Sequence, residues 1–298
     1  MVWISLSLLA AVFTALTSIL AKLGIRQVNS NFATCYRTGI VVLFSLLLCI
    51  ISGSIKDFPT LHINNWVFLI LSGIATGCSW LCYYKAIQIG NINQVIPIDK
   101  SGFIFTTILF MIFFFDDTTK HGDLVTIIML LLSMLLMFLG TRFMVEKQAK
   151  QDRTSKYGLL FAILSTILAS FVSLFIKIGL NGVSSDLGTF IRTIIVLIFS
   201  FGIVLFHKDY LGCTKISRTA WICLSLSGIA TGCAWLCEYS AYNIVGVNPV
   251  AVNSIGKLSL LLTMFFSYFI LKERFTKKTL IGLGLLTLGI LLIIFFSL

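Results

Sequence analysis

The sequence predicts an all-α integral membrane protein in which ten transmembrane helices form two inverted five-helix repeats. Three observations predict this fold class: an apolar composition, ten apolar stretches of spanning length and an internal duplication. Of the 298 residues, 58% are hydrophobic and 11% are charged, whereas soluble domains carry roughly 25% charged residues. This composition therefore suits lipid, rather than water, as the surrounding solvent.

Apolar stretches of helical length run along the whole chain. A helix needs about 20 apolar residues to cross the ~30 Å hydrocarbon core of a bilayer. Four stretches reach this length without a single charge, at 2–21, 64–84, 157–176 and 279–298. With six less uniform stretches they predict ten spans, at 2–22, 32–52, 65–85, 92–115, 123–142, 157–178, 187–206, 220–242, 247–271 and 279–298.

The two halves of the chain repeat each other. The segment 71–82 matches 226–237 at eleven of its twelve positions, and the same offset of 155 relates Arg37 to Arg192. Because each repeat has an odd number of spans, the second copy must enter the membrane from the opposite side. Such inverted repeats are a recurrent transporter architecture, with the binding site at their interface. The predicted organisation is a first repeat at 1–145, a charged linker at 146–156 and a second repeat at 157–298.

Several short motifs recur at equivalent places of the two repeats. A Lys closes the first span, an Arg lies early in the second, the third is rich in Gly, and an acidic residue ends the fourth, followed by Thr. The Lys residues are Lys22 and Lys177, the Arg residues are Arg37 and Arg192, the acidic residues are Asp116 and Glu273, and the Thr residues are Thr119 and Thr276. A further motif, the run 95–101, lies early in the fourth span. With them the chain resembles the EamA branch of the drug/metabolite transporter superfamily, as two fused five-helix EamA units. It departs from the family pattern at Phe115 and Lys272, where Gly is usual, and at Gly256, which aligns with Asp99.

Six charged residues lie inside the predicted spans, where each costs about 2.5–3.5 kcal/mol on insertion and tends to mark function. They are Arg37, Asp99, Lys100, Arg192, Glu238 and Lys257. At 1.5 Å per residue, Arg37 and Asp99 lie at similar depths of about 8–10 Å, and Arg192 and Glu238 match in the same way from the other side. We expect these two ion pairs, either as bonds that fix helix register or as cavity groups that substrate or a proton can break.

Two of these charges are lysines at equivalent places of spans four and nine. Lys257 lies near the middle of span nine, too deep to extend easily to the interface, and Lys100 lies in span four. We expect both to face substrate, the alternative being that backbone carbonyls or Glu238 satisfy them. The six charges sum to +2, which favours a solute with a carboxylate or phosphate, although Asp99 and Glu238 equally suit an amine.

Aromatic residues cluster in spans three and eight. Trp80 and Tyr83 lie in the first cluster, and Trp235 and Tyr239 lie in the second. They are candidates for an aromatic cavity wall that suits organic solutes and cations. The alternative is ordinary packing within the helix bundle.

The sequence offers no cofactor, metal or nucleic-acid signature. Cys78 and Cys82 lie four residues apart, as do Cys233 and Cys237, but without His nearby we expect small-residue packing rather than a soft-metal site. The net charge of +11 lies mainly in short loops, which indicates membrane orientation rather than nucleic-acid binding. No nucleotide-binding loop or nucleophile–base arrangement is present in the sequence, so we expect neither ATP-driven transport nor an enzyme.

Taken together, the repeat, the buried charges and the resemblance imply a secondary transporter in the plasma (inner) membrane, working by alternating access. We expect a small organic solute that carries a carboxylate or phosphate, or an amino acid, with protons as a possible coupling ion. The protein is expected to be a monomer or a homodimer in the lipid bilayer. The alternative is a non-transporting membrane protein, either a structural partner subunit or a membrane-embedded enzyme.

The distribution of Lys and Arg predicts the orientation. Of the 22 basic residues, 15 lie on the side of the central linker and 3 on the side of both chain termini. Because basic residues are retained in the cytoplasm, we expect the linker inside and both termini outside, whereas ten-helix relatives more often keep both termini inside.

Impermeant maleimide applied to intact cells should label Ser297→Cys and spare Ser155→Cys, in a background without native Cys. The reverse pattern would refute the predicted orientation.

Overall fold

The architecture is taken from a computed structural model of the chain. It describes residues 2–25, 28–89, 95, 98–99, 101–119, 122–144, 156–209, 216–271 and 276–297. Within these ranges the chain is helical and contains no strand. The helices are α1 (Val2–Ile25), α2 (Ser30–Ser52), α3 (Ile63–Ile89), α4 (Gly102–Phe113), α5 (Phe115–Thr119), α6 (Leu124–Met144), α7 (Lys156–Gly179), α8 (Ser185–His207), α9 (Arg218–Tyr242), α10 (Pro249–Gly256), α11 (Leu258–Leu271) and α12 (Lys277–Ser297), with a 3-10 helix at Ser54–Thr60.

The predicted fold class is confirmed. In the described part of the chain, nine helical stretches are long and apolar enough to cross a membrane. The predicted fourth span, 92–115, corresponds to the shorter apolar helix α4, the start of that span lying largely outside the described residues. Two five-span repeats therefore account for the architecture.

Polar side chains define where several helices begin. The Asn29 side chain accepts a hydrogen bond from the Asn31 N–H at the start of α2, and Ser217 accepts one from Ala220 at the start of α9. Asn248 accepts from two N–H groups at the start of α10, where Pro249 takes the first helical position. These residues satisfy N–H groups that have no partner inside their own helix.

Helices of one half pack mainly against helices of the other. α1 packs along α9 and α3 along α7, and these two pairs are exchanged by the operation that relates the repeats. α2 packs along α8 and α6 along α12, and each of these pairs joins equivalent spans. The halves are therefore interleaved, and any cavity at the centre is walled by both.

GxxxG steps in spans three and eight set two equivalent close approaches. A Cβ placed on Gly73 would lie 2.7 Å from the Ile195 Cβ, and one placed on Gly228 would lie 2.8 Å from the Ile40 Cβ. Positions 73 and 228, like 40 and 195, differ by the repeat offset. The small residues thus pack helices within the chain, as is usual where lipid removes the hydrophobic driving force.

The predicted ninth span, 247–271, is two helices rather than one. α10 ends at Gly256 and α11 begins at Leu258, with Lys257 between them. The Lys257 N–H donates to the Ser254 carbonyl at 2.9 Å, and the Leu260 N–H donates to the Lys257 carbonyl at 3.0 Å. These i→i−3 bonds replace the α-helical pattern locally, and such a 3-10 interruption inside a helix often marks a functional hinge.

α6 and α12 approach each other backbone to backbone. A Cβ on Gly282 would lie 2.6 Å from the Gly140 carbonyl oxygen and 2.8 Å from the Met144 nitrogen. Neither atom can move aside as a flexible side chain would. Two residues further along the same helix, Gly284 has nothing within 4 Å of its Cβ position.

This contrast predicts opposite effects of one substitution at two neighbouring sites. Gly282→Ala should lower the free energy of unfolding by about 1–3 kcal/mol because it overpacks the contact. Gly284→Ala should leave it unchanged or raise it by up to ~1 kcal/mol because Ala favours the helix over Gly. Thermal melting of the purified variants in detergent, followed by size-exclusion chromatography, measures both. Equal melting temperatures would contradict the close approach of α6 and α12.

Candidate functional site

A cavity of about 500 Å³ lies at the interface of the two halves. Its walls come from α1, α4 and α6 of the first half and from α7, α9, α10, α11 and α12 of the second. Pockets that hold small molecules are typically about 300–1,000 Å³ in volume. The site is thus the size of a small organic solute and takes its lining from both repeats, and we refer to it as the central cavity.

Charged residues from both halves line the central cavity. Asp99 precedes α4, Glu238 lies near the end of α9, and Lys257 occupies the interruption between α10 and α11. Among the described residues, the charges of both Lys257 and Arg192 act on Glu238. Three of the six charges singled out in the sequence therefore line one cavity, together with the Trp235 ring.

Lys257 gains its place from the interruption of span nine. Discontinuous helices near the bilayer midplane commonly form the binding sites of transporters built from inverted repeats. Its equivalent in the first repeat, Lys100, lies outside the described residues. The expectation that both lysines face substrate stays a prediction.

A row of small polar residues on α1 also lines the cavity and was missed in the sequence. Ser7, Thr14 and Ser18 lie on one face, together with Ala10. Each of the three hydroxyls donates to the carbonyl four residues earlier, at 2.8, 2.8 and 3.0 Å, so each oxygen can still accept. From Ser7 to Ser18 the helix rises about 16 Å. The spacing of hydroxyl residues along an otherwise apolar helix is the signal that could have identified this face.

The two intramembrane arginines form equivalent bonds across the halves. Arg37 Nη2 donates to Thr231 Oγ1 at 3.0 Å, and Arg192 Nη2 donates to Thr76 Oγ1 at 2.9 Å. Both the arginines and the threonines are related by the offset of 155. Among the described residues that line the central cavity, neither arginine appears. These bonds connect α2 to α9 and α8 to α3.

Arg192 is the more deeply buried of the two arginines. It is 4% exposed, and its guanidinium lies 4.6 Å from the centre of the Trp235 ring and 6.0 Å from that of Tyr239. Its Nε and Nη1 atoms have no hydrogen-bond partner in the described part of the chain. Arg192 therefore supports Trp235, a residue of the cavity wall, from behind.

The predicted ion pairs are only partly addressed by this geometry. Arg192 acts electrostatically on Glu238, but its hydrogen bond goes to Thr76 of the other half. Depth along the membrane normal matched the arginine with the acid, whereas position around the helix axis directs it to the threonine. The pairing of Arg37 with Asp99 stays a prediction.

The four candidate aromatic residues occupy different environments. Trp235 lines the central cavity, and Tyr239 is packed in the main apolar core. Tyr83 packs against a smaller apolar cluster that includes Ala86, and Trp80 is half-buried on α3. Neither Tyr83 nor Trp80 is among the described residues of the cavity lining, so their predicted role in the wall stays untested.

Across the described ranges, no group of three or more His, Cys, Asp or Glu side chains is placed to hold a metal ion.

Comparisons with known proteins match both halves separately. The sequence model of the EamA-like transporter family matches residues 1–139 and again 156–295. A protein of Sinorhizobium sp., described as an uncharacterized transporter in the cobO 3′ region, is 37% identical over 111 residues, which are 37% of this chain and 79% of that protein. That relative is thus about half as long as this chain.

A protein crystal structure superposes with a TM-score of 0.71 over 97% of this chain and 95% of the other. At 13% identity this likeness shows the fold alone.

The two arginine bonds predict an order of stability effects. Thr76→Val should lower the free energy of unfolding by about 1–3 kcal/mol, because it removes the partner of a buried charged donor. Thr231→Val should have a smaller effect, because Arg37 is only half-buried and water can replace the lost bond.

The same melting experiment in detergent measures this order. Thr287→Val is the control, because within the described residues the Thr287 hydroxyl bonds only to the Leu283 carbonyl of its own helix. A larger effect at Thr231 than at Thr76 would contradict the assignment.

Proposed function

The chain belongs to the EamA-like transporter family, and from this premise we propose that it is a secondary transporter that moves a small zwitterionic organic solute across the plasma membrane by alternating access. Membership of the family establishes a multi-pass membrane protein with a transporter role. We add to this the zwitterionic class of the solute, the alternating-access mechanism and the location in the plasma membrane. The charged lining of the central cavity is the observation that carries it.

The cavity presents both signs of charge to a solute. Among its described lining residues, Asp99 and Glu238 are acidic and Lys257 is basic. A solute amine can lie against a carboxylate while the solute's own carboxylate lies against the Lys257 ammonium. The six charges counted in the sequence favoured an acidic solute, but the arginines among them bond to threonines of the opposite half. The charges that line the cavity favour a solute that carries both groups, such as an amino acid.

The uncharged part of the lining also favours this class. Ser7, Thr14 and Ser18 offer hydroxyl oxygens along one wall, and Trp235 offers an aromatic face. Small-molecule sites typically combine apolar walls with a few placed polar groups that fix orientation. A non-transporting structural subunit would instead be expected to pack these positions without a cavity.

Alternating access is supported by the way in which the lining is assembled. Asp99 comes from the first repeat, whereas Glu238 and Lys257 come from the second. Rocking one repeat against the other would therefore change the access to the solute while the ligating groups stay near the centre. Proton coupling through Asp99 or Glu238 is part of the proposal, because a proton or a solute amine can each neutralise a carboxylate in this setting.

Counterflow in proteoliposomes tests the proposal. Vesicles preloaded with unlabelled L-amino acids should accumulate a uniformly ¹⁴C-labelled mixture of the same amino acids. Lys257→Ala and Glu238→Gln should each lower the initial rate at least tenfold, which corresponds to about 1.4 kcal/mol or more of lost interaction. Lys278→Ala is the matched control, since Lys278 is exposed at the start of α12, and it should transport at the rate of the unmodified protein.

Competition by half-substrates separates a zwitterion from an acid or an amine. Simple monocarboxylates and simple primary amines should each inhibit counterflow only weakly. Full inhibition by a carboxylate alone would contradict the zwitterionic class, and full counterflow by Lys257→Ala would contradict the site.

A further inference from the structure

A second cavity, of about 510 Å³, lies outside the central one. It is formed where α5, α7 and α9 end, and its lining includes Asp117, Lys177, Asn181, Tyr242 and Asn243. In the ten-span topology these helix ends lie on the side of the chain termini. We refer to it as the outer cavity.

The lining of the outer cavity carries two opposite charges. The charge of Asp117 acts on the Lys177 ammonium, yet within the described residues the two form no direct ion pair. Asp117 is exposed on the short helix α5. The wall of one cavity therefore offers a carboxylate and an ammonium to a ligand that carries both an amine and a carboxylate.

Lys177 is fixed in place but retains donors. Its Nζ donates to the Tyr242 carbonyl at 2.5 Å and lies 5.9 Å from the centre of the Phe114 ring. The carbonyl belongs to the last residue of α9, where a cation stabilises the helix end. An ammonium has three N–H donors, and in the described part of the chain one of them is used in a hydrogen bond. The others are available to a ligand carboxylate.

Tyr242 lies between the two cavities. It lines the outer cavity, while its side chain faces Glu238, which lines the central one. It is 2% exposed, its ring lies 6.1 Å from that of Phe110, and its hydroxyl interacts with the Glu238 carboxylate. Tyr242 thus contacts a residue of the central cavity from the wall of the outer one.

The same arrangement is not repeated on the other side of the membrane. At the repeat offset Tyr242 aligns with Ile87, and Asp117 aligns with Arg274 at the drifted offset of 157. The first repeat therefore lacks the tyrosine, and the second repeat has a basic residue where the first has the acid.

From these observations we propose that the outer cavity is a second binding site for the zwitterionic solute, with Asp117 and Lys177 as its charged ligands and Tyr242 as the partition from the central cavity. This inference rests on the proposed function for the class of solute. Because the equivalent residues on the other side of the membrane differ, this second site exists only on the side of the chain termini. The solute binds there either before or after it passes Tyr242.

Protection of a reporter cysteine tests the site by binding, independently of transport. Val245 lines the outer cavity and is 97% exposed, so Val245→Cys in a background without native Cys should react readily with N-ethylmaleimide in detergent. The unlabelled mixture of L-amino acids should slow this reaction at least about threefold when its concentration exceeds twice the dissociation constant. Thr60→Cys, exposed on the same side but outside the cavity lining, should react at an unchanged rate.

Two further substitutions separate the outer site from the central one. Asp117→Asn should abolish the protection of Val245→Cys, and it should fold normally because Asp117 is exposed. Lys257→Ala should retain the protection, because it alters only the central cavity. Protection that survives Asp117→Asn, or that disappears with Lys257→Ala, would overturn the proposal.

The outcomes also distinguish this inference from the proposed function. Counterflow without protection of Val245→Cys overturns the outer site and leaves the transport proposal standing. Protection with the expected response to both substitutions, but without counterflow, supports the outer site and counts against the transport proposal. The absence of both overturns both.

Discussion

Two hydrogen bonds that cross between the repeats, Arg192 to Thr76 and Arg37 to Thr231, hold the centre of this protein together. A charged side chain inside a bilayer is stable only when it meets polar groups of the protein or water, and here each half supplies the partner for the other. The close approach at Gly73 makes the first bond possible, since a Cβ there would lie 3.1 Å from the Arg192 carbonyl oxygen. The glycine admits the backbone of α8, and the threonine one turn further along α3 then reaches the guanidinium.

The two halves have the same residues at these helix contacts but different residues around the cavities. Equivalent glycines, arginines and threonines recur at the offset of 155, but Glu238 aligns with Tyr83 and Tyr242 with Ile87. Duplication therefore explains why the helices interleave, whereas divergence explains why the charges are unequal on the two sides. A symmetric frame can carry an asymmetric site because packing depends on small residues at helix contacts, and binding depends on a few residues that point elsewhere.

The sequence predicted the spans and the repeat because hydropathy and the offset are properties of the chain alone. It failed to predict the interruption at Lys257, since an apolar run gives the same signal whether its bonds are i→i−4 or i→i−3. Depth counting brought Arg192 to the level of Glu238, but it carries no information about direction around the helix, and the hydrogen bond goes to Thr76. The hydroxyl face of α1 was missed because attention to charges overlooks Ser and Thr, which are inexpensive to place in a helix.

Glu238 interacts both with Arg192, which bonds across the repeats, and with Lys257 of the central cavity. In the described part of the chain, the cations Lys257 and Arg192 both act on this carboxylate. Removing the only partner of a buried charge is strongly destabilising. If Lys257 were the only cation near Glu238, its movement toward a solute would leave the Glu238 carboxylate without compensation. In the proposed cycle Lys257 can bind a solute carboxylate while Arg192 continues to compensate Glu238. Arg192 can do so because its own position is set by the hydrogen bond to Thr76 and by the Trp235 ring, not by Lys257.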